Sequence, residues 1–411
     1  METTSALWTT VYWLSLAASL YIGFIYFRDL GDVTQMLIKV KRKNMLWFIR
    51  NEYKAIVPGI AAGALAAVVH FATGAGGAVL FWILMAVLVV LYGFTWVWVH
   101  IGLRHQQDTA KYYSVTEAKK YVSPKDSCIV IENNGHARAH PDYEIWRPHL
   151  AGNAEGLGGE NVIITYCSMT HLGHGYVPEI EGEKLKLEVL AQHGNNLIMR
   201  DNNTGEPIQQ LFGNRERDDR KNGPRMQEWP TFRMSFRGFE KAYPDGEVFL
   251  NLPSKNPFFR FVDFIVNSAF VVGLATQYRR EVPVMDNLDR PLDYRLPLKT
   301  FIWGFNVGDD YTCYTEDFLK ARQVPLNVIV GGRDIVVHYD SIYESLGVWY
   351  NDSGKPVSKI DFFGESDQGR LARVETVKAG SFWHVWANYF PETDINRVGD
   401  PSSDASGTKV A

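Results

Sequence analysis

The sequence predicts an α+β protein: a mainly antiparallel β domain built from two tandem, pseudo-symmetric repeats and preceded by three transmembrane helices. Apolar residues crowd into the stretch before residue 105. Beyond about residue 120 the pattern changes to short strands between Gly, Asn, Asp and Pro clusters. No helix of crossover length separates successive strands, which favours antiparallel pairing. Two stretches also nearly repeat each other: Gly158-Gly-Glu-Asn-Val-Ile-Ile-Thr-Tyr-Cys-Ser168 and Gly331-Gly-Arg-Asp-Ile-Val-Val-His-Tyr-Asp-Ser341.

Residues 1–104 read as the membrane segment. Residues 6–27 carry no charge and are long enough as a helix to cross about 30 Å of hydrocarbon. No basic region precedes them, which argues against a signal peptide. An Ala/Gly-rich run at 55–73 and a Leu/Val/Trp-rich run at 77–103 form the second and third spans, joined as a tight hairpin through Thr73–Gly77. Gly59 and Gly63 share one face of the second span and let a neighbouring helix approach closely, within the chain or in a dimer. Arg28, Lys39, Lys41, Arg42, Lys43, Arg50 and Lys54 lie in the loop 28–54, whereas the N-terminal tail has no Lys or Arg. The positive-inside rule therefore puts the N-terminus outside and, after three crossings, the β domain in the cytoplasm, the protein being multi-pass in the inner membrane. Apolar residues alternating with these cations suggest an amphipathic helix on an anionic leaflet, or an ordinary juxtamembrane charge cluster.

The first repeat is expected over 120–250 and the second over 298–397. Val162–Cys167, Lys184–Leu190, Asn196–Arg200 and Ile335–Tyr339 read as strands, Tyr143–His149 and Glu316–Ala321 as short helices, and Asp201–Gly205 as a turn. Between the repeats, 251–297 is a linker holding the apolar stretch Phe258–Tyr278. Asp263 and Asn267 inside it make a lipid-exposed crossing costly, so a helix at the membrane surface or buried between the repeats is expected. The Ser/Asp/Gly-rich segment 398–411 reads as disordered.

The motifs occur in an order that resembles DUF3179, a bacterial and archaeal family of unknown function. They are Ala137-Arg-Ala-His-Pro141, then Trp146, His149 and Asn153 before Gly158-Gly159, then Ile164-Thr-Tyr-Cys167. Leu197-Ile-Met-Arg-Asp201 with Thr204 follows, and Phe382-Trp-His-Val-Trp-Ala-Asn-Tyr-Phe-Pro-Glu-Thr393 closes the set. The resemblance covers roughly 120–397 and implies no established activity. Where the family pattern has a Cys-x-x-Cys, this chain has Cys167-Ser-Met-Thr170, so a dithiol redox role is not implied.

Candidate site residues concentrate in the first repeat. Cys167, Met169, His171 and His174 combine thiol, thioether and imidazole, a set suited to copper and then to zinc; strand alternation would put the first three on one face. The alternative is a strand core with hydrogen-bonded histidines. His149, Cys167, His193 and Asp201 are ligand or pocket candidates, although the main expectation for Asp201 is that it braces its turn through backbone hydrogen bonds. Trp383, His384, Trp386 and Tyr389 fit a packed helix face. A net charge of −4 and the lack of a basic tract interleaved with aromatics argue against nucleic acid. Three cysteines, odd in number and widely spaced, argue against a disulfide framework. Walker, Gly-x-Gly-x-x-Gly, Gly-x-Ser-x-Gly and His-Glu-x-x-His motifs do not occur. The leading expectation is a non-catalytic binding or accessory subunit, a homo-oligomer or part of a membrane complex, with its site in the first repeat. The alternatives are a metal- or redox-linked enzyme using Cys167 and nearby histidines, and a hydrolase using Ser168.

Overall fold

A computed structural model describes residues 2–398 except 221 and 286, so all but the first residue of the segment 398–411 lies outside the described residues. Among the described residues, four helices are long and apolar enough to cross a membrane: α1 within Glu2–Leu30, α2 (Arg42–Thr73), α3 (Ala78–Gly102) and α4 (Pro257–Arg279). The first three follow from the apolar runs. α3 begins as an α-helix and passes through two π-helical turns, Val89–Phe94 and Val97–Gly102. The Gly59/Gly63 face is used within the chain: a Cβ at Gly59 would collide with Tyr92 and Ile22, and one at Gly63 would sit 2.9 Å from Ser19 Oγ.

The second long helix begins much earlier than the sequence suggests. Residues 42–54 are helical and continuous with it, bent at Asn51 (φ −126°, ψ 21°). Met45, Phe48 and Ile49 are buried in the same cluster as Leu187 and Ile198 of the β domain. Arg42 pairs with Glu216, and Arg50 Nε lies 3.3 Å from Glu206. The apolar face of this amphipathic segment is thus taken up by protein, because the domain packs directly beneath the helices.

The rest is a mixed structure dominated by antiparallel sheet. Strands β1 (Ser127–Asn133) and β2 (His136–Pro141) form a hairpin. β3 (Leu150–Ala151), β4 (Ile163–Cys167) and β5 (Leu172–Val177) form an antiparallel sheet extended by Gln227–Trp229. β6 (Leu187–His193) and β7 (Asn196–Asp201) pair antiparallel beside Pro207–Gln209. β8 (Thr231–Ser235) returns antiparallel to β1, and β9 (Glu247–Phe249) runs parallel to β2. After α4, β10 (Phe301–Val307) and β11 (Asp310–Thr315) pair antiparallel. β12 (Leu326–Val330), β13 (Arg333–Asp340) and β14 (Ser345–Tyr350) form a second three-stranded antiparallel sheet. β15 (Lys378–Phe382) lies antiparallel to β10, and β16 (Asp394–Asn396) parallel to β11. Tyr112–Ser114 adds a fifth strand beside β9, and within that sheet the order β8-β1-β2-β9 matches β15-β10-β11-β16, orientations included.

The halves interlock. Phe382 N–H donates to Thr170 O at 3.0 Å, and Arg233 of β8 donates through Nε to Ala379 O (3.3 Å) and through Nη2 to His171 O (3.1 Å). Arg233 also binds Asp142, whose carboxyl is pushed up by burial but held below its ordinary range by Arg233 and His171. His174, Glu228 and Lys378 form a second buried group across the junction, with His174 Nε2 2.9 Å from Glu228. Burial would raise the Glu228 carboxyl, but Lys378 and His174 bring it to about 2.

Candidate functional site

β4 ends at Cys167, and the four-residue turn Ser168–His171 leads directly into β5. His149 follows the helix Asp142–Ile145 in a left-handed conformation (φ 57°), which a non-glycine residue adopts only when its surroundings enforce it. Two backbone bonds do so: His149 N–H donates to Ile145 O at 3.0 Å, and Tyr166 N–H donates to His149 O at 2.7 Å. The imidazole is thereby fixed beside the end of β4.

His149, Cys167, Ser168 and Met169 line one side of a cavity of about 60 Å³. Gln192 and Leu197 come from β6 and β7, Ala269, Phe270 and Gly273 from α4, Trp98 from α3, and Met36 and Met285 from connecting segments. The wall is mainly apolar, and Trp98 stacks on Phe270 with centroids 5.6 Å apart and planes 4° apart. Its polar members are few. Cys167 Sγ lies 3.8 Å from Asn195 O, and Gln192 Nε2 contacts both Gln35 Oε1 (2.9 Å) and Met285 Sδ. His149 Nδ1 is buried with no hydrogen-bond partner among the described residues. Burial, helped by neighbouring His105, drives the His149 imidazole down to about 3, so it is neutral and one nitrogen can accept.

The other candidates lie elsewhere. His171, also left-handed (φ 59°), donates through Nδ1 to Gly380 O at 2.8 Å, with Nε2 3.2 Å from Asp142. His174 belongs to the Glu228–Lys378 group. Strand alternation does not apply across the turn 168–171, so His171 does not share a strand face with Cys167. The set Cys167, Met169, His171 and His174 is not brought to one point, and no group of three or more His, Cys, Asp or Glu able to hold a metal occurs among the described residues. His193 is buried, with burial and Arg42 lowering its imidazole to about 4. Asp201 braces its turn, accepting from Lys186 N (2.9 Å), Thr204 Oγ1 (2.7 Å) and two further backbone amides. Trp383, His384 and Trp386 are buried on the short helix Trp383–Tyr389.

A charged network at the base of the helices was missed by sequence reasoning. His100 presents Nε2 to Glu52 at 2.8 Å and Nδ1 to Glu188 at 2.6 Å, so the ring sits between two carboxylates. Arg200 bridges the same two carboxylates at 3.1 and 2.9 Å, and Tyr26 donates to Glu52 at 2.7 Å. Burial would raise the Glu188 carboxyl, but the His100 hydrogen bond and the cations bring it to about 2. An open cleft of about 500 Å³ adjoins the network. The available signal was Glu52, a lone acid within a basic segment, and His100 at the end of an apolar run.

The fold and site belong to a protein class defined by sequence family. The family model described as a protein of unknown function, DUF3179, matches residues 106–393, and the chain belongs to that family. No curated protein matches the chain. No solved structure matches it either.

Proposed function

We propose that the protein is a membrane-anchored binding subunit whose cavity at His149 and Cys167 takes a small, mostly apolar ligand. The observation that carries this reading is the shared lining: Trp98 of α3 and Phe270 of α4 close the same space as His149 and Cys167. A volume of about 60 Å³ is well below the roughly 150 Å³ that admits benzene in an engineered apolar cavity. The ligand is therefore a few heavy atoms, or the end of an alkyl chain. Neutral His149 and Gln192 supply hydrogen bonds to one polar end, and flexible Met36, Met169 and Met285 adapt to the rest. Native mass spectrometry of full-length protein extracted in mild detergent tests this. A bound small molecule should appear in wild type and vanish in Leu197→Phe, which narrows the cavity. Wild type without an adduct, or an adduct unchanged by the variant, would overturn the reading.

A second reading is a soft-metal site. Cys167, His149 and three thioethers line one cavity, a donor set suited to monovalent copper. A copper-to-protein ratio near one after reconstitution, lost in Cys167→Ala, supports it.

We also infer that the two halves descend from one duplicated unit. In its favour, Tyr166 pairs with Gly173 as Tyr339 pairs with Leu346, and each hairpin closes on a left-handed residue, His171 (φ 59°) or Glu344 (φ 55°). Further support comes from the matching strand orders. The domain lies in the cytoplasm in this reading. It touches the basic segment 42–54, so loop and domain share one side of the membrane.

A further inference from the structure

α4 spans Pro257–Arg279, long and apolar enough to cross a bilayer, yet its place in the chain argues against crossing. Among the described residues, it is the one long apolar helix between the two halves of the β domain. A single passage there would put β1–β9 and β10–β16 on opposite faces of the membrane. Those halves are joined by hydrogen bonds from Phe382 N to Thr170 O (3.0 Å) and from Arg233 Nε to Ala379 O (3.3 Å), and by the buried Glu228–Lys378 pair.

Both ends of α4 also return to the domain. Near its start, Asp263 accepts from Arg147 at 2.5 Å and Arg104 at 3.1 Å; near its end, Gln277 Nε2 donates to Met169 O at 2.9 Å. A narrow stripe of Val262, Asp263, Val266, Phe270, Leu274 and Gln277 faces the protein. The opposite face is apolar and uncovered, with Phe261 62%, Phe264 70% and Val272 66% exposed. Val266 and Phe270 meet Gly102 and Trp98, in the last turns of α3. That contact ties α4 to the C-terminal end of the third long apolar helix. Lys255, Arg260, Arg279 and Arg280 bracket the apolar face, as anionic headgroups require.

We propose that α4 lies in the plane of the membrane, its Phe261, Phe264 and Val272 face seated among lipid acyl chains, and does not cross. This inference stands whether or not the cavity holds a ligand.

Single-cysteine variants of the full chain in membrane vesicles test it, since the three native cysteines are buried. Lys255→Cys and Glu281→Cys should both react with a membrane-impermeant maleimide from the same side. Reaction from opposite sides would overturn the proposal. Spin labels at Phe264→Cys and Val272→Cys should collide several-fold more with oxygen than with a water-soluble nickel chelate, with the ratio reversed at Glu281→Cys. A depth of about 5–10 Å below the headgroups is expected. Free access of the nickel chelate to 264 and 272 would show an aqueous or protein-covered face and overturn the proposal.

Discussion

Acid should destabilise this protein well before its carboxylates titrate. Five imidazoles are buried neutral: His140, His149 and His384, each driven by burial to about 3, and His174 and His193, each to about 4. In the unfolded chain each takes a proton near 6.5. A depressed histidine leaves the unfolded state holding more protons below that value. Stability is therefore full above about pH 6.5 and is lost as pH falls toward the folded values. At pH 5.5 an unfolded histidine gains about 1.4 kcal/mol from protonation while the folded one gains almost nothing, so five lose about 7 kcal/mol. That is comparable to the roughly 5–15 kcal/mol that holds a typical domain together. Glu188 and Glu228, at about 2, add nothing in this window. Denaturant unfolding in detergent, followed by tryptophan fluorescence at pH 7.5 and 5.5, measures the loss. His149→Asn, which tolerates positive φ and does not titrate, should remove about 1.4 kcal/mol of the pH dependence. Equal stability at the two pH values would refute the placement of these rings as buried and neutral.

Other perturbations follow from the packing. Arg147→Met leaves Asp263 with the partly exposed Arg104 and a long bond from Ser254 N, and should cost about 3 kcal/mol or more, read as a lowered unfolding midpoint; a neutral result would mean that Asp263 is hydrated. Gly59→Leu, forced against Tyr92 and Ile22, should lower the yield of folded protein in detergent, whereas Gly273→Leu, whose Cβ meets nothing within 4 Å, should not. Glu52→Gln should weaken the docking of the helices on the β domain, seen as faster proteolysis of the segment 31–41, because His100 and Arg200 lose half of their shared negative charge.

Of the site, the sequence marked His149 and Cys167, which do line one cavity, because each ends a local element whose boundary is written in nearby residues. It misplaced His171 and His174. For His171, alternation along a strand assumes that the strand continues, and this one stops at Cys167 in a turn closed by a left-handed residue; His174 lies inside the strand Leu172–Val177, not beyond a turn at Leu172-Gly173. Met36, Trp98, Phe270 and Met285, which complete the cavity, sit far apart in the chain and carry no periodic signal pointing at one another. The Glu52–His100–Glu188–Arg200 network was illegible for the same reason. Each charge was visible alone, but its partner lay on another element.

What the sequence determined by itself were properties set over a few residues: where apolar runs make helices, where Gly, Asn, Asp and Pro clusters separate short strands, and where the turn Asp201–Gly205 falls. Such features depend on backbone sterics and on burial of one local face. The tertiary structure alone decided that the amphipathic start of α2 packs on the β domain instead of lipid, and that α4 lies against one domain whose two halves interlock. Those outcomes depend on which surfaces compete for the same apolar face, and that competition is resolved only when distant parts of the chain meet.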